Sequence, residues 1–250
     1  MEPEAESEIQ KEAKEMGSKE KHKQTVEARV RRPPHNYVAI VKDSVVPIET
    51  SSLDKLCDQL YNGVVLQGGK RKYWVDRDLN KNCFMLFARE LAITWGHDPR
   101  YWEWKTVNES GDSSFAKFQP QKLNFNFHSV DIEVAELRSV CSLEISGKFR
   151  TIVLSPKTSY EVSLLASMTE SRQGWDVPVN ISITLPDKLS RRHTESLQHM
   201  PRGRWTNILM GEFKTLSENI GEITFHISEC TNNNWKQGLV VKGVAFQPKK

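Results

Sequence analysis

The second half of the chain, from about residue 135 to 247, is predicted to form an antiparallel β-sandwich or barrel. Apolar and polar residues alternate in SYEVSLLASM (159–168), VPVNISITL (177–185) and EITFHISE (222–229). A period of two is typical of strands that bury one face in a core. Turn residues separate these segments, and the scarcity of helical patterns excludes a fold of alternating strands and helices. The predicted fold class is therefore all-β.

A short helix and a hairpin are predicted before this region. TSSLDKLCDQLYNG (50–63) reads as a helix with a capping box at Ser51 and Asp54, and Gly63 suits the left-handed C-terminal position. KRKYWVDRDLNKNCFMLFAREL (70–91) reads as two strands joined by RDLNKN. The apolar positions of the helix follow an i, i+3, i+4, i+7 spacing, and they are Leu53, Leu56, Cys57 and Leu60.

The N-terminal residues 1–36 are rich in charges of both signs and poor in large apolar residues, so we expect a disordered tail. The predicted organisation is this tail, an extension over 37–87 and a β domain over 88–250. Two further segments, 107–130 and 186–203, are predicted to be long polar loops, which are often functional or mobile.

Composition limits the class of protein. The 250 residues carry a net charge of +3, without a dense basic face, so nucleic acid is not the expected partner on electrostatic grounds. Neither a signal peptide nor a membrane-spanning run is recognised, so we expect a cytosolic chain without membrane insertion. The four cysteines, Cys57, Cys83, Cys141 and Cys230, are far apart and form no CxxC pair. We therefore expect reduced thiols and no metal site.

Catalytic motifs are not recognised in the sequence, so an enzyme is not expected. One carboxylate pair, Glu222 and Glu229, brackets the strand EITFHISE. Seven steps along a strand span about 23 Å, whereas the carboxylates of glycosidases lie about 5–10 Å apart. The odd offset also sends the two side chains to opposite faces of a straight strand. The lack of a competent acid/base pair favours a binding protein, and no cofactor is expected.

The segment ITWGHDPRYWEW (93–104) combines three tryptophans with a polar turn. An exposed indole is a flat apolar platform for a sugar ring, and carboxylates accept hydrogen bonds from hydroxyl and amide groups. Trp95 and Trp102 are the candidates for such a platform, although composition equally allows both to be core residues at the edge of a sandwich. His97, Asp98 and Arg100 form the turn that sets the indoles in place. We assign packing roles to Trp104, Trp205 and Trp235.

Four blocks of sequence resemble the Nictaba-like lectins, also called the phloem protein 2 family. They occur in family order, cover roughly residues 88–248, and are ARELAITWGHDPRYWEWKTV, EVAELRSVCSLEISGKF, SPKTSYEVSLLASMTE and NNNWKQGLVVKGVAFQP. The upstream part, NYVAIVKD through KYWVDRDLNKNCFML, looks like the extension of the phloem protein 2 branch. Segment 107–130 is longer than usual for the family.

The resemblance implies a jelly-roll sandwich and a metal-free plant lectin that recognises N-acetylglucosamine oligomers or related N-glycan cores, in phloem or in stress and defence. It also implies glycoprotein partners, a homodimer, and a cytosolic, nucleocytoplasmic or phloem-sap location. The residues that match the family's sugar site are Trp95, Trp102, Glu222 and Glu229. The alternative is a non-lectin phloem interaction protein that binds RNA or other proteins through its tail, the helix near 52–61 and its loops.

Overall fold

The computed structural model describes residues 32–34, 36–108, 130–217, 220–230 and 234–250. The chain divides into two units, Met1–Arg32 and Pro33–Lys250, and the described residues lie almost entirely in the second. The predicted disorder of the tail concerns residues that lie almost entirely outside the described ranges, and most of segment 107–130 also lies outside them. The division into an extension over 37–87 and a β domain over 88–250 stays a prediction. No helix within the described residues is long and apolar enough to cross a membrane.

The α-helices of the described part precede the strands. Helix α1 covers Tyr37–Ile40, and helix α2 covers Leu53–Asn62. The Ser52 hydroxyl, and not that of Ser51, caps α2 by accepting a hydrogen bond from the Lys55 backbone amide at 3.2 Å. Leu53 is exposed because it lies in the first turn, while Leu56, Cys57 and Leu60 are buried. The predicted helix is thus confirmed. The prediction of Ser51 as the capping residue and of Leu53 as a buried position was wrong.

Antiparallel strands make up two sheets, which confirms the predicted all-β sandwich of jelly-roll type. The larger sheet joins strands in the order β1-β2-β3-β13-β6-β5, and β13 also pairs with β8, which pairs with β11. Its strands are β1 (Val64–Leu66), β2 (Arg71–Asp76), β3 (Lys81–Phe87), β5 (Trp102–Asn108), β6 (Asp131–Leu137), β8 (Ser159–Gln173), β11 (Thr206–Lys214) and β13 (Gln237–Pro248).

The smaller sheet has the order β10-β9-β12-β7-β4. Its strands are β4 (Ala92–Ile93), β7 (Leu143–Arg150), β9 (Val179–Thr184), β10 (Ser190–Glu195) and β12 (Glu222–Glu229). Residues of both sheets share one apolar core, in which the predicted alternation places Ile223, Phe225 and Ile227 inward. The intervening positions of β12 face outward and are polar.

Strand β10 corrects the expectation of a structureless loop over 186–203. Its residues SRRHTE are all exposed and pair with β9 along their full length. Two side chains also reach the other sheet, where Arg191 donates to the Glu212 carbonyl at 2.7 Å and His193 lies 3.0 Å from the Leu209 carbonyl. No apolar alternation marks this edge strand because neither of its faces enters the core.

The predicted hairpin is present as β2 and β3, with the turn at residues 77–80. Asp76 fixes this turn, since its carboxylate accepts hydrogen bonds from the backbone amides of Asp78 and Leu79 at 3.0 and 2.8 Å. Strand β3 then pairs with β13, the strand at the centre of the large sheet. The hairpin is therefore continuous with the β-sandwich through main-chain hydrogen bonds.

Candidate functional site

The loop between β4 and β5 folds as a series of tight turns. The Gly96 amide donates to the Ile93 carbonyl at 2.9 Å, and the amides of Tyr101 and Trp102 both donate to the Asp98 carbonyl at 3.0 Å. At its start, the Thr94 amide donates to the Glu144 carbonyl of β7 at 3.1 Å. The polar and turn-forming residues of the segment therefore fold it back at one end of the small sheet.

Trp95 presents the exposed indole of this loop. Trp95 is 39% exposed. Its ring centroid lies 5.2 Å from that of Tyr101, and the two ring planes are inclined by 36°. The backbone of Trp95 has φ 57°, a left-handed conformation that is uncommon for residues other than glycine. Such conformations persist only where the surrounding structure enforces them, and they cluster at functional sites. The loop thus holds an aromatic pair at the surface.

Trp102 and Trp104 hold the loop from below. Trp102 is only 2% exposed, and its indole N–H donates to the Thr94 carbonyl at 3.1 Å. The indole N–H of Trp104 donates to the Gly96 carbonyl at 2.6 Å, while the Arg89 guanidinium lies 3.6 Å above its ring. Two indoles therefore bind carbonyls on either side of Trp95. A sugar stacks only on an exposed ring, so this conformation offers Trp95, and not Trp102, as a platform.

The charged part of the loop is a local ion pair. Arg100 donates to Asp98 through Nε and Nη2, with a shortest distance of 2.7 Å, and its backbone amide also donates to the same carboxylate at 3.0 Å. These hydrogen bonds lower the pKa of Asp98 to about 2. Asp98 is therefore ionised at neutral pH, and its carboxylate accepts the hydrogen bonds of Arg100 within the turn.

Glu229 lies in the interior and forms an ion pair with Lys236, and both side chains are fully buried. The ammonium of Lys236 also donates to the carbonyls of Asn234 at 2.8 Å and Cys141 at 3.1 Å. Buried charges are tolerated when they are paired and hydrogen-bonded in this way. The carboxylate of Glu229 thus connects the end of β12 to the start of β13, and it is not accessible to a ligand.

Glu222 lies at the opposite end of β12, where its carboxylate pairs with Lys148 at 3.2 Å on the outer face of the sheet. It lines a groove of about 850 Å³ together with Thr224 and His226 of the same strand and Ser146 of the neighbouring strand β7. As expected, the two glutamates face opposite sides of β12, since Glu222 is exposed and Glu229 is buried. The structure brings Trp95, Trp102 and Glu229 to one end of the sandwich and leaves Glu222 at the other.

Two polar or aromatic residues beside Trp95 were missed by the sequence interpretation. Glu144 is exposed, and its carboxylate accepts a hydrogen bond from the Thr94 hydroxyl at 3.0 Å. Tyr101 forms the aromatic pair with Trp95 and accepts a backbone hydrogen bond from Arg138 at 2.8 Å. The alternation in SLEISGKF places Glu144 outward, which is the signal that could have identified it. The exposed carboxylate of Glu144 and the exposed indole of Trp95 therefore lie on either side of Thr94.

Comparison with known proteins identifies the family. The family model described as phloem protein 2 matches residues 81–248. The chain belongs to the phloem protein 2 family. The matched region includes the loop of Trp95, the carboxylate of Glu144 and the buried pair of Glu229 and Lys236. The site residues thus all lie inside the phloem protein 2 region, whereas helix α2 precedes it.

Curated relatives agree with this assignment. PHLOEM PROTEIN 2-LIKE A1 of Arabidopsis thaliana is 40% identical over 222 residues, which cover 88% of this chain and 82% of that protein. A protein named lectin from Luffa acutangula is 39% identical over 218 residues, which cover 86% of this chain and 95% of that protein.

Solved structures give a weaker likeness. A carbohydrate-binding module in complex with β-1,4-galactotriose is 11% identical with a TM-score of 0.31, and the match covers 62% of this chain and 92% of the module. A TM-score this low supports no statement on the ligand. Among the described residues, no group of three or more His, Cys, Asp or Glu side chains comes together as a metal site.

Proposed function

We propose that this phloem protein 2 chain is a lectin for N-acetylglucosamine oligomers or related N-glycan cores. The observation that carries the proposal is the exposed indole of Trp95, which pairs with the partly buried ring of Tyr101 and follows Thr94, whose hydroxyl binds the exposed carboxylate of Glu144. The ring of Trp95 stacks on the apolar face of a pyranose, and Glu144 accepts a hydrogen bond from a hydroxyl or from an N-acetyl N–H. The relative from Luffa acutangula that is named lectin supports a sugar as the ligand.

The four residues predicted from the sequence take different roles in this proposal. Trp95 contacts the sugar, and Trp102 positions Trp95 through its hydrogen bond to the Thr94 carbonyl. Glu229 stabilises the neighbouring chain segments through Lys236. Glu222 is too far along its strand to contact the same sugar ring. Catalysis and a metal have no part in this function.

A shallow site of this kind binds a single sugar weakly, with a Kd of about 1 mM, or roughly −4 kcal/mol. A homodimer would raise the avidity for glycoproteins without any new contact. We propose a dimer on this ground, and sedimentation of the full chain tests it. The predicted location in the cytosol, the nucleus or phloem sap is tested by imaging a tagged chain in plant tissue.

The test is a glycan array followed by calorimetric titration with chitin oligomers. We expect Trp95→Ala to weaken binding by tenfold or more, because the stacking surface is lost. Leu189→Ala is the matched control, since Leu189 is 52% exposed in the turn between β9 and β10, near the Glu222 end of the small sheet. Absence of wild-type binding to chitin oligomers and to every glycan on the array would refute the proposal.

The variants of Trp102 separate positioning from contact. Trp102→Phe keeps an aromatic ring in the core but removes the N–H that binds the Thr94 carbonyl. We expect weaker sugar binding together with a more mobile Trp95, detected as a change in tryptophan fluorescence anisotropy. Wild-type affinity in Trp102→Phe would exclude the positioning role. The alternative function is binding of RNA or proteins through the tail, the helix near 52–61 and the loops. Deleting residues 1–31, which leaves every described strand in place, tests the contribution of the tail.

A further inference from the structure

A second exposed indole, Trp235, lies two residues before the start of β13. Trp235 is 54% exposed, so the packing role expected from the sequence was wrong. Single exposed apolar residues are common on protein surfaces and need no function. What distinguishes Trp235 is the combination of a fixed backbone with a position at the Trp95 end of the sandwich.

The backbone around Trp235 is held on both sides. The Lys236 amide donates to the Val140 carbonyl at 2.7 Å, and the Val140 amide donates back at 3.0 Å. The buried ammonium of Lys236 binds the Asn234 carbonyl at 2.8 Å. Gly174 closes the other side, since a β-carbon at this glycine would lie 2.1 Å from the Trp235 carbonyl oxygen. Only glycine therefore allows the chains to approach, and the indole extends from a rigid base.

Segment 138–144 connects Trp235 to the first aromatic pair. Arg138 at its start donates to the Tyr101 carbonyl, Val140 pairs with Lys236, and Glu144 at its end binds Thr94. Adding the steps from Tyr101 through Arg138, Val140 and Lys236 to Trp235 limits the distance between the Cα atoms of Tyr101 and Trp235 to about 22 Å. Two aromatic surfaces thus border one short polar segment.

Polar side chains of this segment can contact a neutral ligand that lies across it. Glu144 is exposed, Ser139 is partly exposed, and Arg138 is exposed while it pairs with Glu103 at 3.1 Å. Rigid aromatic platforms separated by hydrogen-bonding groups suit a chain of sugar rings, because each ring has an apolar face and a polar rim. An oligosaccharide, which has several rings in a row, is the kind of ligand that can place rings against both indoles.

We propose that Trp235 is a second stacking platform, so that the site takes a neutral oligosaccharide across segment 138–144 and selects for chain length. This inference rests on the proposed lectin function and adds to it a residue and a size requirement. Trp95 holds one end of the oligosaccharide and Trp235 holds the other. Sugars that are too short to bridge the segment contact Trp95 alone.

The experiment is titration of wild type, Trp95→Ala, Trp235→Ala and the control Leu189→Ala with chitin oligomers from the dimer to the hexamer. We expect wild-type affinity to rise by tenfold or more with length. Trp235→Ala is expected to abolish this rise while leaving the affinity for the chitin dimer within twofold of wild type. Trp95→Ala is expected to weaken the binding of chitin oligomers of every length. Trp235→Phe, which keeps a ring, is expected to restore part of the gain.

Four outcomes would overturn the inference. Trp235→Ala that binds the hexamer as wild type does removes Trp235 from the site. Equal losses for the dimer and the hexamer show a general structural effect. Loss of self-association in Trp235→Ala, seen by sedimentation, assigns the indole to a protein interface instead. If wild type binds no chitin oligomer at all, the inference falls along with this ligand class, whereas in the first three outcomes the lectin function is retained.

Discussion

Removing one partner of the buried Glu229–Lys236 pair is expected to destabilise the fold strongly. Both side chains are fully buried, and Lys236 binds two carbonyls in addition to the carboxylate. In Lys236→Met the carboxylate of Glu229 is left in the core without its counter-charge. Breaking a buried pair from one side costs about 3–5 kcal/mol, because an uncompensated charge remains. We expect the same range for Glu229→Leu, which leaves the ammonium.

The double variant Glu229→Leu/Lys236→Met is expected to be more stable than either single variant. It removes both charges at once, and apolar side chains of similar size fill the space. What remains lost are the hydrogen bonds from Lys236 to the carbonyls of Cys141 and Asn234, at about 1 kcal/mol each. The expected cost is therefore about 2 kcal/mol, and the coupling between the two sites is several kcal/mol.

Urea unfolding of the four proteins, followed by circular dichroism with a shared m-value, measures these differences. Lys249→Met is the matched control, because Lys249 pairs with Glu212 at 2.7 Å on the surface. Exposed pairs contribute little, so we expect no measurable change there. The reasoning is refuted if the single variants unfold at the wild-type midpoint, or if their effects simply add in the double variant.

Two further predictions concern titration. The Asp98 carboxyl, whose pKa is lowered from 3.8 to about 2 chiefly by hydrogen bonds from Arg100, stabilises the fold above its ordinary pKa, and this contribution is lost as the pH falls through about 2. We expect Arg100→Ala to return the pKa of Asp98 toward 3.8 in a carboxyl NMR titration, and a wild-type pKa near 3.8 would contradict this. The pKa of the Cys230 thiol is raised by burial and then by Glu144. Alkylation of Cys230 by iodoacetamide at pH 8 is therefore expected to be slower than that of a free thiol, and faster in Glu144→Gln. Peptide mapping by mass spectrometry measures the rate, with Glu212→Gln as the control. An unchanged rate in Glu144→Gln would argue against an effect of the Glu144 charge.

The parts of the fold that follow from hydrophobic alternation were predictable. Ile223, Phe225 and Ile227 all face the core, as the period of two requires. Strand β10 was not predictable, because all six of its residues are exposed and no pattern of burial is imposed on them. Its pairing with β9 depends on backbone hydrogen bonds, which sequence patterns do not record. The Ser52 cap was missed for a related reason, since adjacent serines offer the same hydroxyl to the helix end.

The candidate site shows why residue type alone does not assign a role. The indoles of Trp95, Trp102 and Trp235 are 39%, 2% and 54% exposed, although all three precede or open strand-like segments. Exposure is decided by contacts from distant parts of the chain. Trp102 is drawn inward beside β6, its pairing partner, while Trp235 is kept outward by the pairing of Lys236 with Val140. The sequence therefore indicated the motif but not which of its indoles faces solvent.

A buried residue in a binding motif can still control the affinity of that motif. Trp102 binds the Thr94 carbonyl just before Trp95, and Trp104 binds the Gly96 carbonyl just after it. Together they fix the unusual backbone conformation of Trp95, whose φ is 57°. A platform that is already ordered loses less conformational entropy when a ligand binds. If the proposed lectin function holds, substitution of the buried indoles is expected to reduce sugar binding although neither indole contacts the sugar in the proposed site. Loss of binding in such a variant therefore does not by itself identify a contact residue.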